Sequence, residues 1–259
     1  MPTSGSAARQ IVTQAARQLE LPIPPAVVDG FAEADRLARE CGALVATHDQ
    51  LAGAVLAAIR AGRDPAVDKA VRIAQLGVQL GLQSFGERGR AEADALVAGV
   101  LIQHSDELLE QWRGDLEADG EALVHAATAL PTTDLDDTRS VLRAGADALA
   151  AWTAAVEAVA RFDLATTGFA TLAGLQRIDT SGHRHRVLRF AAVDLDTAEQ
   201  IEADTGGRAP TAWNVACSGA TPALPTVSEF RRRRSALDQE RRDRAAAAVE
   251  AAAHPRASV

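Results

Sequence analysis

Leu130-Pro131-Thr132-Thr133-Asp134-Leu135-Asp136-Asp137-Thr138 separates two long apolar-striped stretches, residues 87–130 and 134–175, and its reading decides the fold. Pro131 cannot continue a helix, because it lacks an amide donor and its ring clashes one turn back. Thr132, Thr133 or Asp134 can cap a second helix, and Asp136 and Asp137 then fall in a first turn that favours negative charge. Before the break, Val97, Leu101, Leu108, Trp112, Leu116, Leu123 and Leu130 share one side of a helix. After it, Leu135, Leu142, Leu149 and Val156 recur every seven residues, with Gly145, Trp152 and Val159 as a companion seam. A heptad of this kind favours a near-parallel helix contact.

A turn at 132 pairs Leu123 with Val141, Leu116 with Leu149, Trp112 with Trp152, Leu108 with Val156 and Leu101 with Phe162. The expectation is a mainly α protein, with a long antiparallel helical hairpin inside a helical bundle. Residues 1–4 are expected to fray, and a short helix over 6–20 stops at Pro22-Ile23-Pro24-Pro25. A long helix follows over 26–61, striped by Val27, Phe31, Leu37, Leu44, His48, Leu51, Val55 and Ile59. Asp64 then caps a helix over 66–85 with Pro65 at its first position. Gly77 and Gly81 open a flat face on that helix for close approach.

Beyond 175 the pattern changes. Residues 186–193 and 212–217 alternate enough to read as strands, on either side of a helix that Asp196-Thr197-Ala198-Glu199 opens. This is a small α+β element near the C-terminus. Pro222 and Pro225 form a linker, and Thr226-Val227-Ser228-Glu229 is a capping box for a last helix reaching about Ala253. The expected domains are 1–175, 176–225 and 226–259.

Composition narrows the function classes. Alanine, roughly a fifth of the chain, favours helix. Aromatics are 3% with no tyrosine, so the stacking platforms of base and nucleotide sites are scarce. Lys69 is the single lysine, which removes most lysine chemistry. Cys41 and Cys217 read as free thiols in a reducing compartment. No apolar run reaches the ~18 residues of a membrane span, and the start lacks a signal-peptide core. A cytoplasmic, membrane-free protein is expected.

Charge is uneven. Residues 226–259 carry eight arginines against five acids, whereas 1–225 hold 19 basic and 30 acidic residues. Arg231, Arg232, Arg233 and Arg234, continued by Arg241, Arg242 and Arg244, form the candidate partner-binding site. They suit an acidic protein surface, nucleic-acid phosphates or their own neighbouring acids Glu229, Asp238, Glu240 and Asp243. With Phe230, Leu237 and Val249 as its apolar residues, the last helix is expected to dock loosely and to order on an acidic partner.

Several motifs have bland readings that outweigh the chemical ones. Asp134-Leu135-Asp136-Asp137-Thr138 has the letters of a dehalogenase-type phosphotransferase loop or of a terpene-cyclase acid. The first needs a buried parallel strand before it, yet 126–130 read as a helix end, so helix capping is expected. Asp194-Leu195-Asp196-Thr197 likewise reads as a cap. Trp112-Arg113-Gly114 matches a W-x-G hairpin mark but lies too far from the turn. Glu117, Glu121, His125 and His104 lack di-iron spacing. His183 and His185 would share a strand face without a third zinc ligand, and His48 reads as a core-boundary residue. Neither a cofactor nor a metal is expected.

Thr133-Asp134-Leu135-Asp136-Asp137-Thr138, Arg186-Val187-Leu188-Arg189-Phe190 and the run from Leu224-Pro225-Thr226 to Arg234 carry a resemblance. The chain resembles helical head-module proteins, scaffold-like or minor structural, of phages and prophages of high-GC bacteria. That resemblance implies a virion or assembly role in the host cytoplasm or the virion, with a capsid subunit as partner and homo-oligomerisation as a further option. The expected function is therefore non-enzymatic assembly through the hairpin and the basic helix. The alternatives are a nucleic-acid-associated accessory protein and an enzyme using Asp134–Asp137.

Overall fold

The structure, a computed structural model, describes residues 4–253, with the side chains of His183 and of 251–253 excepted. The expected fraying at the N-terminus thus lies, for residues 1–3, outside the described residues. Of the described residues 76% are helical and none forms a strand. In chain order the helices are α1 (Gly5–Gln18), α2 (Pro25–Ala43), α3 (His48–Arg60), α4 (Lys69–Leu82), α5 (Phe85–Gln103), α6 (Ser105–Asp115) and α7 (Glu117–Ala129). They continue as α8 (Thr138–Ala144), α9 (Ala146–Leu175), a 3-10 helix (His183–Arg189), α10 (Leu195–Asp204), α11 (Ala212–Cys217) and α12 (Val227–Ala253). The mainly α expectation holds, but the α+β element does not: 183–189 and 212–217 are helical. At 212–217 the reason is local, since Thr211 and Asn214 form a reciprocal capping box that starts a helix.

Packing sorts the chain into two units. One comprises residues 4–9 and 25–103, the other residues 10–24 and 104–253, so the expected boundaries at 175 and 225 both fall inside the second.

The first unit is built on α2 and α5. A Cβ at Gly30 would meet the Val100 side chain at 2.6 Å, and one at Gly89 would meet Cys41 Cβ at 2.3 Å. Both pairs are centred on position 65, so the two helices run antiparallel with glycines where they come closest. Val27, Phe31 and Ala34 face Ala93, Val97 and Leu101 as the core. Asp94 reaches the start of α1, its carboxylate accepting from the Gly5 amide at 2.9 Å and the Ser6 amide at 2.7 Å. The expected 26–61 helix is broken at 44–47, because Thr47 and Gln50 cap α3 reciprocally. Asp68, and not Asp64, caps α4: it accepts from Ala70 and Val71 and holds Arg63 at 2.9 Å. The close approach at Gly77 and Gly81 comes from the 44–46 connection, with Ala46 Cβ 2.7 Å from a Cβ at 77.

In the second unit the central helix is α9, 30 residues long. Its buried residues Ala148, Ala151, Ala155, Ala158, Phe162, Ala165, Phe169 and Leu172 alternate at steps of three and four. This is the heptad, and alanine carries most of it. The expected leucine seam faces outward instead, with Leu142, Leu149 and Val156 all exposed. An antiparallel partner does pack on α9, in another register. Arg161 Nε donates to Asp119 Oδ2 at 2.7 Å, and a Cβ at Gly168 would touch the Trp112 ring. Both pairs are centred on position 140, inside α8, and not on 132. Two breaks cause the shift. Asp137 caps α8, accepting from the Ser140 amide at 3.1 Å, so 130–136 is loop. Gly145 then takes φ +103°, a conformation that favours glycine, and separates α8 from α9. Trp112 therefore lies sixteen residues of α9 from Trp152, about 24 Å at ~1.5 Å per residue, and their expected contact does not form. The Trp152 indole instead donates to Leu135 O at 2.8 Å.

Candidate functional site

The α12 arginines sit on a helix that is well anchored over its first half. Val227, Phe230 and Leu237 are buried, and the Phe230 ring meets Phe169 edge-on at 5.4 Å. Thr226 and Glu229 cap the helix reciprocally, at 3.1 Å in each direction. The Arg113 guanidinium donates to Glu229 and, at 2.7 Å, to Leu224 O. Burial alone would raise the Glu229 carboxyl pKa, but the Thr226 amide and Arg113 outweigh it and hold the carboxyl low. The loosely docked helix expected from sequence is thus corrected: its apolar residues are few, but Phe230 and Leu237 are buried together with Val227, and only Val249 is exposed.

Most of the seven arginines serve this docking. Arg233 is half-buried beside Glu229 at 3.7 Å. Arg234 donates to Asp179 O at 3.2 Å, and Arg241 to Arg184 O at 3.1 Å while facing Asp238. Arg244 binds Asp196 at 2.8 Å and Glu199 at 3.4 Å. Arg231, Arg232 and Arg242 are exposed, held by Gln176, Glu229 and Gln239 respectively. Surface pairs of this kind contribute ~0–1 kcal/mol each, so these three arginines are the ones free to exchange their contacts for a partner's.

Asp134 and Asp136 line a hollow of about 740 Å³ together with Asp204, Arg208, Trp213 and Cys217. Asp134 accepts from the Asp136 amide at 2.9 Å, and Asp137 caps α8. Residues 117–129 before them are helix, so the strand-end nucleophile of the dehalogenase pattern is absent here. Burial pushes the Cys217 thiol up to about 11, which keeps it protonated at neutral pH. Asp194 is likewise a cap, accepting from Thr197 at 2.8 Å.

The histidines are dispersed. His48 is exposed at the start of α3, not at a core boundary. His185 pairs with Asp238 at 2.7 Å and His104 with Glu107 at 2.9 Å, while the side chain of His183 lies outside the described ones. Among the described residues no three His, Cys, Asp or Glu side chains are placed to hold a metal.

The surface that sequence reading missed is apolar. On α3, α4 and their flanks, Leu44, Leu56, Ile59, Val67, Ile73, Leu76 and Leu82 are each more than half exposed. The signal was present: residues 73–86 contain no charged side chain, and neither do 50–59. Among the described residues no single helix is long and apolar enough to cross a membrane. Only α2 and α3 taken together reach that length, bent by 58°.

Searches against protein-family models, curated proteins and solved structures find no match to this chain.

Proposed function

We propose that the chain is a non-enzymatic helical assembly protein that joins further copies of itself through the apolar face of α3 and α4. The observation that carries this reading is the row of seven large apolar side chains left more than half exposed there. Patches of this size on soluble proteins mark partner surfaces. A face without charges along 73–86 has nothing to repel an identical face, which favours a second copy over a charged partner. The head-module resemblance supplies the setting: a structural component of a virion or its assembly, with Arg231, Arg232 and Arg242 facing an acidic partner such as a capsid subunit.

Light scattering on eluted peaks across a range of protein concentrations tests this. The wild type should show multiples of 27.1 kDa, and the Leu56→Glu/Leu76→Glu variant should return to the single-chain mass with unchanged helicity. A wild type that stays at one chain throughout overturns the reading. Capture of the wild type by anionic vesicles, lost in the same variant, would assign the face to a membrane surface instead.

A further inference from the structure

On the second unit, α9, the end of the 3-10 helix and the 209–211 connection line an open groove of about 590 Å³, within the size range of small-molecule sites. One wall is the α9 face bearing Asp163, Thr167, Ala170 and Thr171, and opposite it stand Arg189 and Phe190. The third side, Ala209-Pro210-Thr211, shares Ala209 and Thr211 with the hollow near Asp134.

Arg189 is half-buried, and its Nε and Nη2 both donate to Thr180 O, Nε at 2.8 Å. This clamp fixes the guanidinium plane. Among the described residues it forms no salt bridge, and Asp179 is the carboxylate that acts on it, at longer range. Burial and the neighbouring Arg186 lower its pKa by more than Asp179, acting from a distance, raises it. Asp163 is exposed to the groove, and no cation among the described residues pairs with it. The surrounding protein desolvates it enough to raise its carboxyl pKa. Beside it, the Thr167 and Thr171 hydroxyls spend their protons on Asp163 O and Thr167 O, each at 2.9 Å. Their oxygens therefore remain as acceptors.

One groove thus holds a fixed cation and an anion, neither of them in an ion pair among the described residues, with hydroxyl acceptors on the anionic wall. We infer that it binds a small zwitterion, its carboxylate on Arg189 and its ammonium on Asp163, as in a free amino acid or a short peptide. A phosphate or nucleotide fits worse, because Asp163 would repel it and the one lining aromatic, Phe190, is itself buried. Ala170 and Pro210 add apolar surface to the same groove.

Calorimetry with the twenty free amino acids, and with di- and tri-alanine, tests the inference on the full chain. N-acetyl and amide forms of each binder, and inorganic phosphate, are the comparison probes. At least one free zwitterion should bind, and blocking either of its ends should weaken it tenfold or more. Arg189→Gln and Asp163→Asn should each do the same. Because Arg189→Gln also releases Thr180 O, the Asp163→Asn variant decides wherever the first loses helicity. Free amino acids binding better than the peptides assign the single residue as ligand, and the reverse order assigns the peptide. The inference is overturned if no zwitterion binds, or if both variants bind as the wild type does. It is overturned equally if phosphate binds best and Asp163→Asn tightens it.

Discussion

Gly168 of α9 lies directly against the indole of Trp112: a Cβ at 168 would sit 2.5 Å from Cζ3 and 2.8 Å from Cη2. Trp112 is wholly buried, and its Nε1 donates to Pro22 O at 3.4 Å, so the ring has no room to retreat. Gly168→Ala gains about 1 kcal/mol of helix propensity but forces overpacking that costs ~1–3 kcal/mol. The overpacking should win, because the atoms met belong to a rigid ring and not to a flexible tip. Urea denaturation should show a lower midpoint at unchanged slope. A raised midpoint would mean that the indole moves aside freely.

Acid should weaken the fold, because several carboxylates are held in their charged form by partners that exist only in the folded chain. Ser6 lowers the pKa of Asp94 through its hydroxyl and amide, and Ser181 does the same for Asp179. Arg9 lowers that of Asp35, and for Asp238 the contacts with His185, Arg234 and Arg241 outweigh a burial that would raise it. Each stabilises fully above the unfolded carboxyl value near ~4, and each contribution fades as pH falls through the depressed folded value. Asp163 has the opposite sign: its raised pKa opposes folding at neutral pH and is relieved on acidification. Denaturation at pH 7 and pH 3 should show the lower stability at pH 3. Asp94→Asn should shrink that difference, and Asp163→Asn should add stability at pH 7 but not at pH 3. An equal response of both variants at both pH values would refute the assignment.

Local chemistry carried well from sequence, and long-range register did not. The Thr226–Glu229 box that opens α12 is readable because a cap depends on four adjacent residues. The hairpin register depended on where the second helix begins. Asp134, Asp136 and Asp137 are equivalent capping letters, and Gly145 is a possible seam residue until its φ is known. Choosing the wrong start moved every pairing by sixteen residues. The seam itself was misread for a related reason: Leu142, Leu149 and Val156 outweigh alanine on any hydropathy count. Yet Ala148, Ala151, Ala155 and Ala158 let the helices approach closely, and closeness is what the core selects. Of the candidate site, the arginines were visible, but which of them docks the helix depends on Asp179, Arg184 and Asp196. Those partners are 48 to 57 residues distant, and the distance hides them from any local pattern.

Asp68 joins a helix cap to an ion pair, since its carboxylate accepts from Ala70 and Val71 while holding Arg63. It is buried, with a side chain only 3% exposed. Asp68→Ala should cost at least the ~0.5–2 kcal/mol of a lost cap. Asp68→Asn keeps the cap oxygen and should cost less. Hydrogen exchange at the α4 amides would read both, and equal protection in the two variants would remove the cap from the account.

The last helix divides into a docked part and a projecting part, and two truncations separate them. Through Arg244 it is anchored by Val227, Phe230 and Leu237, by Glu229 on Arg113, by Arg244 on Asp196, and by Asp106, which accepts from the Val227 amide at 2.9 Å. From Arg242 to Glu250 every residue is exposed. Removing 245–259 deletes no buried side chain among the described residues and should leave the thermal midpoint within a degree or two. Removing 227–259 uncovers Phe169 and takes Glu229 from Arg113, leaving it only Glu110, so that variant should unfold at a much lower temperature or aggregate. Phe230→Ala alone should cost ~3–5 kcal/mol, the usual loss for a buried aromatic. Self-association through α3 and α4 should survive the short truncation, since that face lies in the other unit. If the long truncation instead melts as the wild type does, the Phe169–Phe230 contact contributes little, and α12 is the detachable arm that its composition first suggested.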